Sequence, residues 1–171
     1  MIKAIYPATF DPIHYGHIDI AKRAAAIFDH LVVAVYDRPM KNLLFSIDER
    51  MLLAERALHG IPNLSLVRYG GLTVEYTRQI GAQVIVRGLR VFSDFEFEFR
   101  MALANQRLAK DIETVALITA EQHTFLSSST VREIAMLNGD VSSMVPAHVK
   151  AALHAKVINM GEQSPPNALR D

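Results

Sequence analysis

The chain has 171 residues, half of them hydrophobic and 21% charged, which is the balance of a globular protein large enough for one domain with its own core. Its 18 basic residues balance 18 acidic residues, so no overall charge draws it to nucleic acid or to an anionic membrane surface. It contains no cysteine, which excludes disulfides and thiol chemistry, and no apolar run long enough to cross a membrane. Since the N-terminus also lacks a signal-peptide pattern, the sequence predicts a cytoplasmic protein.

Predicted strands and helices alternate along the chain. Apolar residues 2–6 predict a strand, and residues 17–29 repeat apolar side chains at helical spacing. The β-branched run at 31–36 predicts a strand buried on both faces, and Ser46-Ile47-Asp48-Glu49 is a capping-box pattern that starts a helix ending near Gly60. The later part of the chain predicts strands over 64–67, 84–86 and 114–118 and helices over 72–80, from a second capping box at Ser93 to about 109, over 130–137 and after Pro146.

Strands that alternate with helices predict an α/β fold, because right-handed crossovers place helices on both faces of a parallel sheet. We therefore expect a doubly wound sheet of five parallel strands in a single domain over 1–160, followed by a flexible C-terminal tail over 161–171. In open sheets of this kind, ligands bind outside the carboxyl ends of the strands, near the point where strand order reverses.

The most informative polar segment runs from Thr9 to His17, directly after the first strand. It combines a hydroxyl, two imidazoles (His14 and His17) and the unpaired N–H groups of a helix start, and Gly16 lets a bulky anion approach the backbone. This combination favours a nucleotide phosphate site. Two other interpretations remain open at this point. One is an ordinary turn containing Pro and Asp, and the other is a metal pair formed by the two histidines, although no third ligand stands at a characteristic spacing.

Three further clusters follow predicted strands. Lys41 lies after the second strand, Arg87-Gly88-Leu89-Arg90 after the fourth, and the segment from His123 to Thr130 after the fifth. Taken singly, these are ordinary solvated loop charges and helix-capping serines. Because all of them should open onto one edge of the sheet, they predict together a site for a phosphorylated ligand, with arginine forks and serine hydroxyls as its donors.

The aromatic run Phe95, Phe97 and Phe99 alternates with glutamates on a predicted helix. We interpret these side chains as core or subunit packing rather than as part of a cofactor site.

The chain resembles the bacterial phosphopantetheine adenylyltransferase family of the nucleotidylyl transferase superfamily. The resemblance covers residues 2 to about 158 and is carried by Tyr6-Pro7-Ala8-Thr9-Phe10-Asp11-Pro12 with Gly16-His17, Ile85-Val86-Arg87-Gly88-Leu89-Arg90, Asp94-Phe95-Glu96, and Phe125-Leu126-Ser127-Ser128-Ser129. It implies a Rossmann-like fold. The chain departs from the family's usual pattern at Ala8, where glycine is common, at His14 and Tyr15, which replace smaller polar residues, and at Phe97, where tyrosine is frequent. The role of His14 stays open.

The resemblance implies transfer of AMP from ATP to 4′-phosphopantetheine, giving dephospho-coenzyme A and pyrophosphate, with Mg²⁺ as cofactor and no metal-ligating side chains. It implies catalytic roles for His17, Lys41 and Arg90. The implied ATP-binding residues are Thr9, Phe10, His17, Gly88, Leu89, Arg90, Glu98, His123, Thr124, Phe125, Leu126, Ser127, Ser128 and Ser129. The implied substrate-binding residues are Thr9, Lys41, Thr73 and Arg87. A homohexamer and feedback inhibition by coenzyme A are implied as well.

Two other functions remain open. One is a sister nucleotidylyl transferase that acts on a different phosphorylated acceptor, such as glycerol phosphate or a pyridine mononucleotide. The other is a non-catalytic nucleotide-binding regulator.

Overall fold

Within residues 1–38 and 42–163, five parallel strands form one sheet. They are β1 (Lys3–Ala8), β2 (His30–Tyr36), β3 (Leu64–Tyr69), β4 (Val84–Leu89) and β5 (Glu113–Ile118), and their order across the sheet is β3-β2-β1-β4-β5. The computed structural model describes residues 1–38 and 42–163. The chain moves outward from β1 to β3 and then crosses back to place β4 on the other side of β1, so the strand order reverses between β1 and β4. The predicted doubly wound sheet is confirmed.

Over the same described ranges, six α-helices and one short 3₁₀ turn connect and cover these strands. They are α1 (Tyr15–Ile27), α2 (Ile47–Leu58), α3 (Thr73–Gln79), α4 (Phe92–Leu108), the 3₁₀ turn Glu121–His123, α5 (Ser128–Met136) and α6 (Ala147–Gln163). Among the described residues, no helix combines the length and apolar character needed to cross a membrane.

The core lies on both faces of the sheet. Alternate residues of a strand point to opposite faces, and β2 divides in this way: Leu31 and Val33 belong to the larger apolar cluster, Val32 and Ala34 to the smaller one. This division is why the β2 sequence is apolar without interruption, as predicted for a strand buried on both sides.

Several predicted boundaries are wrong, and each has a local cause. Helix α1 begins at Tyr15 rather than at 17, because His14 adopts an extended conformation and serves as its N-cap. Helix α4 begins at Phe92 with Val91 as its N-cap, so the helix starts earlier than the N-cap position expected at 93. The capping box at Ser46 does form.

Two other boundaries change how candidate residues are placed. Strand β4 continues to Leu89, so most of the arginine motif belongs to the strand itself rather than to a following loop. Helix α5 begins at Ser128 rather than at 130, with Ser127 as N-cap. Helix α6 reaches Gln163, beyond the predicted start of the tail, and residues 164–171 lie outside the described residues.

The side chain of Asn63 holds the C-terminal end of α1, which lies at the amino edge of the sheet, by hydrogen bonds. The amide of Asn63, just before β3, donates to the carbonyl oxygens of Ala25 at 2.7 Å and Phe28 at 3.0 Å. The last carbonyls of a helix have no hydrogen-bond donor within the helix, so the Asn63 amide supplies donors for these two carbonyls.

We expect Asn63→Ala to lower the free energy of unfolding by about 1–3 kcal/mol, since part-buried carbonyls lose their donor. Turnover should remain at the wild-type level, because Asn63 lies at the amino edge of the sheet. Urea denaturation and steady-state assays would check both statements. Exposed Asn159→Ala is the matched control and should change neither. A large loss of turnover in Asn63→Ala would contradict this separation of stability from the site.

Candidate active site

The site lies where β1 and β4 part. Strand β1 pairs with β2 along its whole length, but with β4 only through Ala4 with Val84 and Ile5 with Ile85. Beyond Ile85, β4 pairs only with β5, through residues up to Leu89. The gap that opens is the switch point at which open α/β sheets bind ligands.

Arg87 bridges this gap. Its Nη1 donates to the carbonyl oxygen of Pro7 on β1 at 2.9 Å, in place of a strand-to-strand backbone bond. Its Nε and Nη2 donate to the two carboxylate oxygens of Glu98 on α4, at 2.7 and 2.6 Å. Burial acts to lower the pKa of Arg87, but the hydrogen bonds and negative charge of Glu98 outweigh it and raise that pKa. The guanidinium is therefore a permanent positive charge.

Arg90 is held in a similar way just past the end of β4. Its Nε and Nη2 donate to the carboxylate of Asp94 at 2.8 and 3.1 Å, and its Nη1 donates to the carbonyl oxygen of Leu126. Both arginines are thus fixed in bidentate pairs rather than being mobile loop charges. A phosphate that binds to either arginine must share the guanidinium with the carboxylate already bonded to it or displace that carboxylate.

The turn after β1 is shaped by buried groups. Phe10 has a φ of 50° and is buried, with its ring packed edge-on against those of Tyr6 and His17. The carbonyl oxygen of Thr9 accepts from Nη1 of Arg50 at 2.7 Å, and the same nitrogen donates to the carbonyl oxygen of Tyr36 at 2.7 Å. Arg50 therefore ties together the carboxyl ends of β1 and β2.

His14 and His17 stack at the start of α1. Their ring centroids are 3.7 Å apart at an interplanar angle of 24°, and the backbone N–H of His14 donates to Nδ1 of His17 at 3.3 Å. Because Nδ1 accepts this bond, the proton of a neutral His17 ring resides on Nε2, which is then a donor. A Cβ at Gly16 would lie 3.1 Å from the His14 ring, tighter than an ordinary contact, so a larger residue here would push against the stacked ring.

Burial lowers the pKa of His14 to about 3, so this imidazole is neutral at pH 7. Its Nδ1 is buried and has no hydrogen-bond partner among the residues that the structure describes. Stacked rings do not direct two lone pairs at one ion, and the described residues contain no group of three or more potential metal-ligating side chains. The geometry therefore disfavours the metal interpretation of the two histidines.

The serine triplet forms the opposite wall. Ser127 caps α5 by accepting the N–H of Thr130 at 3.0 Å, and the hydroxyl of Ser128 donates to the carbonyl oxygen of Pro12 at 2.9 Å. Neither α1 nor α5 has an acidic residue in its first turn, whereas α2, α3 and α4 each have one or more. The positive ends of two helix dipoles are therefore left uncompensated by acids of their own first turns.

Two cavities open along this edge, of about 650 and 270 Å³. The smaller is lined by the start of α1, the serine triplet and Gly88, and the larger extends toward Tyr36, Tyr69 and Thr73. They share a boundary, and the residues that line both are Pro7, Ala8, His17, Arg87, Arg90, Glu98 and Ser128.

Most of the predicted site residues line these cavities. Thr9, Phe10 and Thr73 face the larger one only, and Gly88, Ser127 and Ser129 the smaller one only. The predicted residues that line neither are Leu89, His123, Thr124, Phe125 and Leu126, of which Leu126 is buried. Lys41 lies outside the described residues.

Sequence reasoning missed Arg50 and Arg132 and left Asp11 without a role. Arg50 is 1% exposed, although its place in a charged helix reads as solvent-facing. The only available signal is that it falls among apolar residues of the buried face of α2, which includes Leu53 and Ala54.

Comparisons with known proteins identify the family of the chain. The sequence profile of the family described as cytidylyltransferase-like matches residues 5–134. The chain is 52% identical over 153 residues to a phosphopantetheine adenylyltransferase from Roseiflexus castenholzii, covering 90% of this chain and 96% of that one. It is 49% identical over 160 residues to the protein of that name from Methylococcus capsulatus, covering 94% and 99%.

A solved structure from Vibrio parahaemolyticus, provisionally described as a nicotinate-nucleotide adenylyltransferase, superposes with a TM-score of 0.68 at 19% identity, covering 90% of this chain and 99% of that one. At this identity the likeness shows the fold alone, and it agrees with the Rossmann-like sheet. The relatives at about 50% identity over most of the chain show more: the chain is a nucleotidyltransferase enzyme and belongs to the phosphopantetheine adenylyltransferase family.

Proposed function

We propose that the protein transfers AMP from ATP to 4′-phosphopantetheine, releasing pyrophosphate and giving dephospho-coenzyme A. The observation that carries this proposal is the meeting of two cavities at His17, Arg87 and Arg90. A reaction between two anionic substrates needs two binding sites that join where the bond forms, with positive charge and hydrogen-bond donors at the junction.

The smaller cavity suits the ATP phosphates. Helix α1 and helix α5 both begin there, so backbone N–H groups and the hydroxyls of Ser127 to Ser129 are available to phosphate oxygens. The larger cavity suits the acceptor. Its wall combines Tyr36, Leu72 and Met101 with the polar Thr73, which matches an extended arm with apolar and amide groups.

The chemistry requires no nucleophile from the protein. A phosphate oxygen of the acceptor attacks the α-phosphorus of ATP in line, the bond from that phosphorus to the bridging oxygen breaks, and pyrophosphate leaves with the electron pair. His17 donates from Nε2 to an α-phosphate oxygen and stabilises the charge that grows there. Arg87, together with Lys41, orients the acceptor phosphate, and Arg90 neutralises the triphosphate.

Mg²⁺ enters with ATP in this proposal. The two carboxylates that line the smaller cavity, Asp94 and Glu98, are each occupied by an arginine, so the described residues fit a resident cation poorly. Magnesium is commonly held by substrate phosphates rather than by an all-protein cage. When bound, it supplies further neutralisation of phosphate charge.

Helix α4 supports the proposal of a homohexamer. Phe95, Phe97 and Phe99 are each about half exposed, so of the two expected kinds of packing, core or subunit, the chain's own core is not where they lie. Leu103 extends the exposed surface of Phe95 and Phe99 along the helix at four-residue spacing, whereas Phe97 and Met101 line the larger cavity. Burial against other copies of the chain would remove this exposed surface from water. Inhibition by coenzyme A and a cytoplasmic location remain predictions.

The decisive experiment is an acceptor panel. With ATP and magnesium, we expect pyrophosphate release with 4′-phosphopantetheine and none above background with glycerol phosphate or nicotinate mononucleotide. A coupled pyrophosphate assay measures this, and omission of magnesium should reduce turnover. Preference for another phosphorylated acceptor would identify a sister transferase. Nucleotide binding without release from any acceptor would identify a regulator.

We expect His17→Ala to lower kcat by about two to three orders of magnitude, the loss typical of removing one preorganised donor at a developing charge. Exposed His154→Ala on α6 is the matched control and should leave kcat unchanged. Steady-state kinetics with both substrates varied would test the role, and turnover of His17→Ala near the wild-type level would contradict it.

Lys41→Ala should raise the KM for 4′-phosphopantetheine at least tenfold and also lower kcat, since a point charge on the acceptor phosphate is lost. The KM for ATP should change little. Lys110→Ala, which removes an exposed lysine, is the control. If only the KM for ATP moved, Lys41 would belong to the other substrate.

A further inference from the structure

A buried carboxylate lies beneath the site and takes no direct part in it. Asp11, in the turn after β1, is 1% exposed. Its Oδ2 accepts the backbone N–H of Leu44 at 2.9 Å, and its Oδ1 accepts that of Phe45 at 2.9 Å. Both donors lie just before α2, so this one side chain fixes the path by which the chain enters that helix.

Arg132 on α5 completes the cluster. Its Nη1 lies 3.1 Å from Oδ2 of Asp11 and also donates to the backbone carbonyl of Asp11, and its Nη2 donates to the hydroxyl of Ser129 at 3.5 Å. The guanidinium is mostly buried. It therefore connects the turn after β1 to the serine triplet at the start of α5.

Neither side chain lines either of the two cavities of the site. Both side chains instead contact segments that line the site. These segments are the turn after β1, with Thr9 and Phe10, and the start of α5, with Ser128 and Ser129. Because Asp11 and Arg132 do not reach the cavities, they can affect the reaction only by positioning the segments that they contact.

We propose that Asp11 and Arg132 form a positioning pair that sets the spacing among three segments: the turn after β1, the start of α5 and the entry to α2. This inference rests on the proposed adenylyl transfer. Transfer in line requires the two substrates to be held at a fixed separation, and a displacement of about 1 Å costs on the order of 100-fold in rate. The pair acts as the brace that fixes that separation.

Asp11 and Arg132 contact different segments of the site, so their substitutions should change the KM values for the two substrates differently. Arg132→Met removes the link to the serine triplet but leaves Asp11 bonded to the entry of α2. It should raise the KM for ATP about tenfold or more, with a smaller change in the KM for 4′-phosphopantetheine. Asp11→Asn places an amide NH₂ against N–H donors and loosens both connections, so both KM values should rise.

The double variant separates positioning from stability. Arg132→Met alone leaves the buried Asp11 carboxylate unpaired, because the nearby Arg50 donates to backbone carbonyls instead, and an unpaired buried charge is destabilising. Asp11→Asn combined with Arg132→Met removes that unpaired charge, so its Tm should recover relative to Arg132→Met. Its kcat/KM should stay about 10- to 100-fold below the wild type, because the brace is still missing. Recovery of kcat/KM together with Tm would overturn the proposal, since the pair would then serve stability alone.

Arg78→Met is the matched control. Arg78 forms a bidentate pair with Asp111 on the surface, away from both cavities, and its loss should leave kcat and both KM values within twofold of the wild type. Folded Arg132→Met with equally unchanged constants would also overturn the positioning role.

Wild-type assays distinguish failure of this inference from failure of the proposed function. If the wild-type chain releases no pyrophosphate with 4′-phosphopantetheine, the proposed function fails. Calorimetric titration with ATP then tests the pair independently of turnover. Weaker binding by Arg132→Met than by the wild type and by Arg78→Met supports the brace, and equal binding by all three overturns it.

Discussion

The separation of β1 from β4 after a short shared ladder is the constraint on which the site depends. Paired strands leave no room between them, so a ligand can enter the sheet edge only where the pairing ends. Past Ile85, β4 belongs to β5 alone, and the carbonyl of Pro7 is left for a side chain to satisfy. The guanidinium of Arg87 donates to this carbonyl, so the same side chain joins the two strands and lines the cavities. Extension of the β1–β4 ladder would close the gap and remove the junction of the two cavities.

Charge compensation explains how four arginines lie at or beneath one site in a chain with no net charge. Arg87, Arg90 and Arg132 each face a carboxylate, and Arg50 is bonded to backbone carbonyls near Asp11 and Asp37. Burial of a guanidinium is tolerable only with such partners. The two arginines on the cavity wall differ from the two beneath it in one respect: their carboxylate partners, Glu98 and Asp94, also line a cavity, so an incoming phosphate competes with them directly.

The sheet and the order of helices could be predicted because hydrophobic periodicity and turn chemistry are local signals. The uninterrupted apolar run of β2 and the capping box at Ser46 are examples, and both appear as expected. Element ends were less predictable. Arg87 and Gly88 read as a polar loop, yet they continue β4 because β5 offers a partner strand that no local pattern reveals.

The site was predictable to the extent that its residues follow strand ends. His17, Arg87, Arg90 and the serine triplet converge as the sheet rule requires. The supporting residues were not predictable in the same way. Arg50 and Arg132 are charged residues on helices, which usually face water, and their burial depends on carbonyl and carboxylate partners from distant parts of the chain. Only tertiary structure brings those partners together.

Because α1 and α5 have no acidic residue in their first turns, the positive ends of their helix dipoles act on the site without cancellation from those turns. An acidic residue at a helix start stabilises that helix by cancelling its positive end, and the neighbouring helices α2, α3 and α4 use this device. At α1, the cap is a neutral imidazole, and at α5 it is a serine hydroxyl. The backbone amides at these two ends do not titrate in the physiological range. Part of the attraction for anions at this edge is therefore a property of the main chain, which persists across pH and which no single substitution of a charged side chain removes.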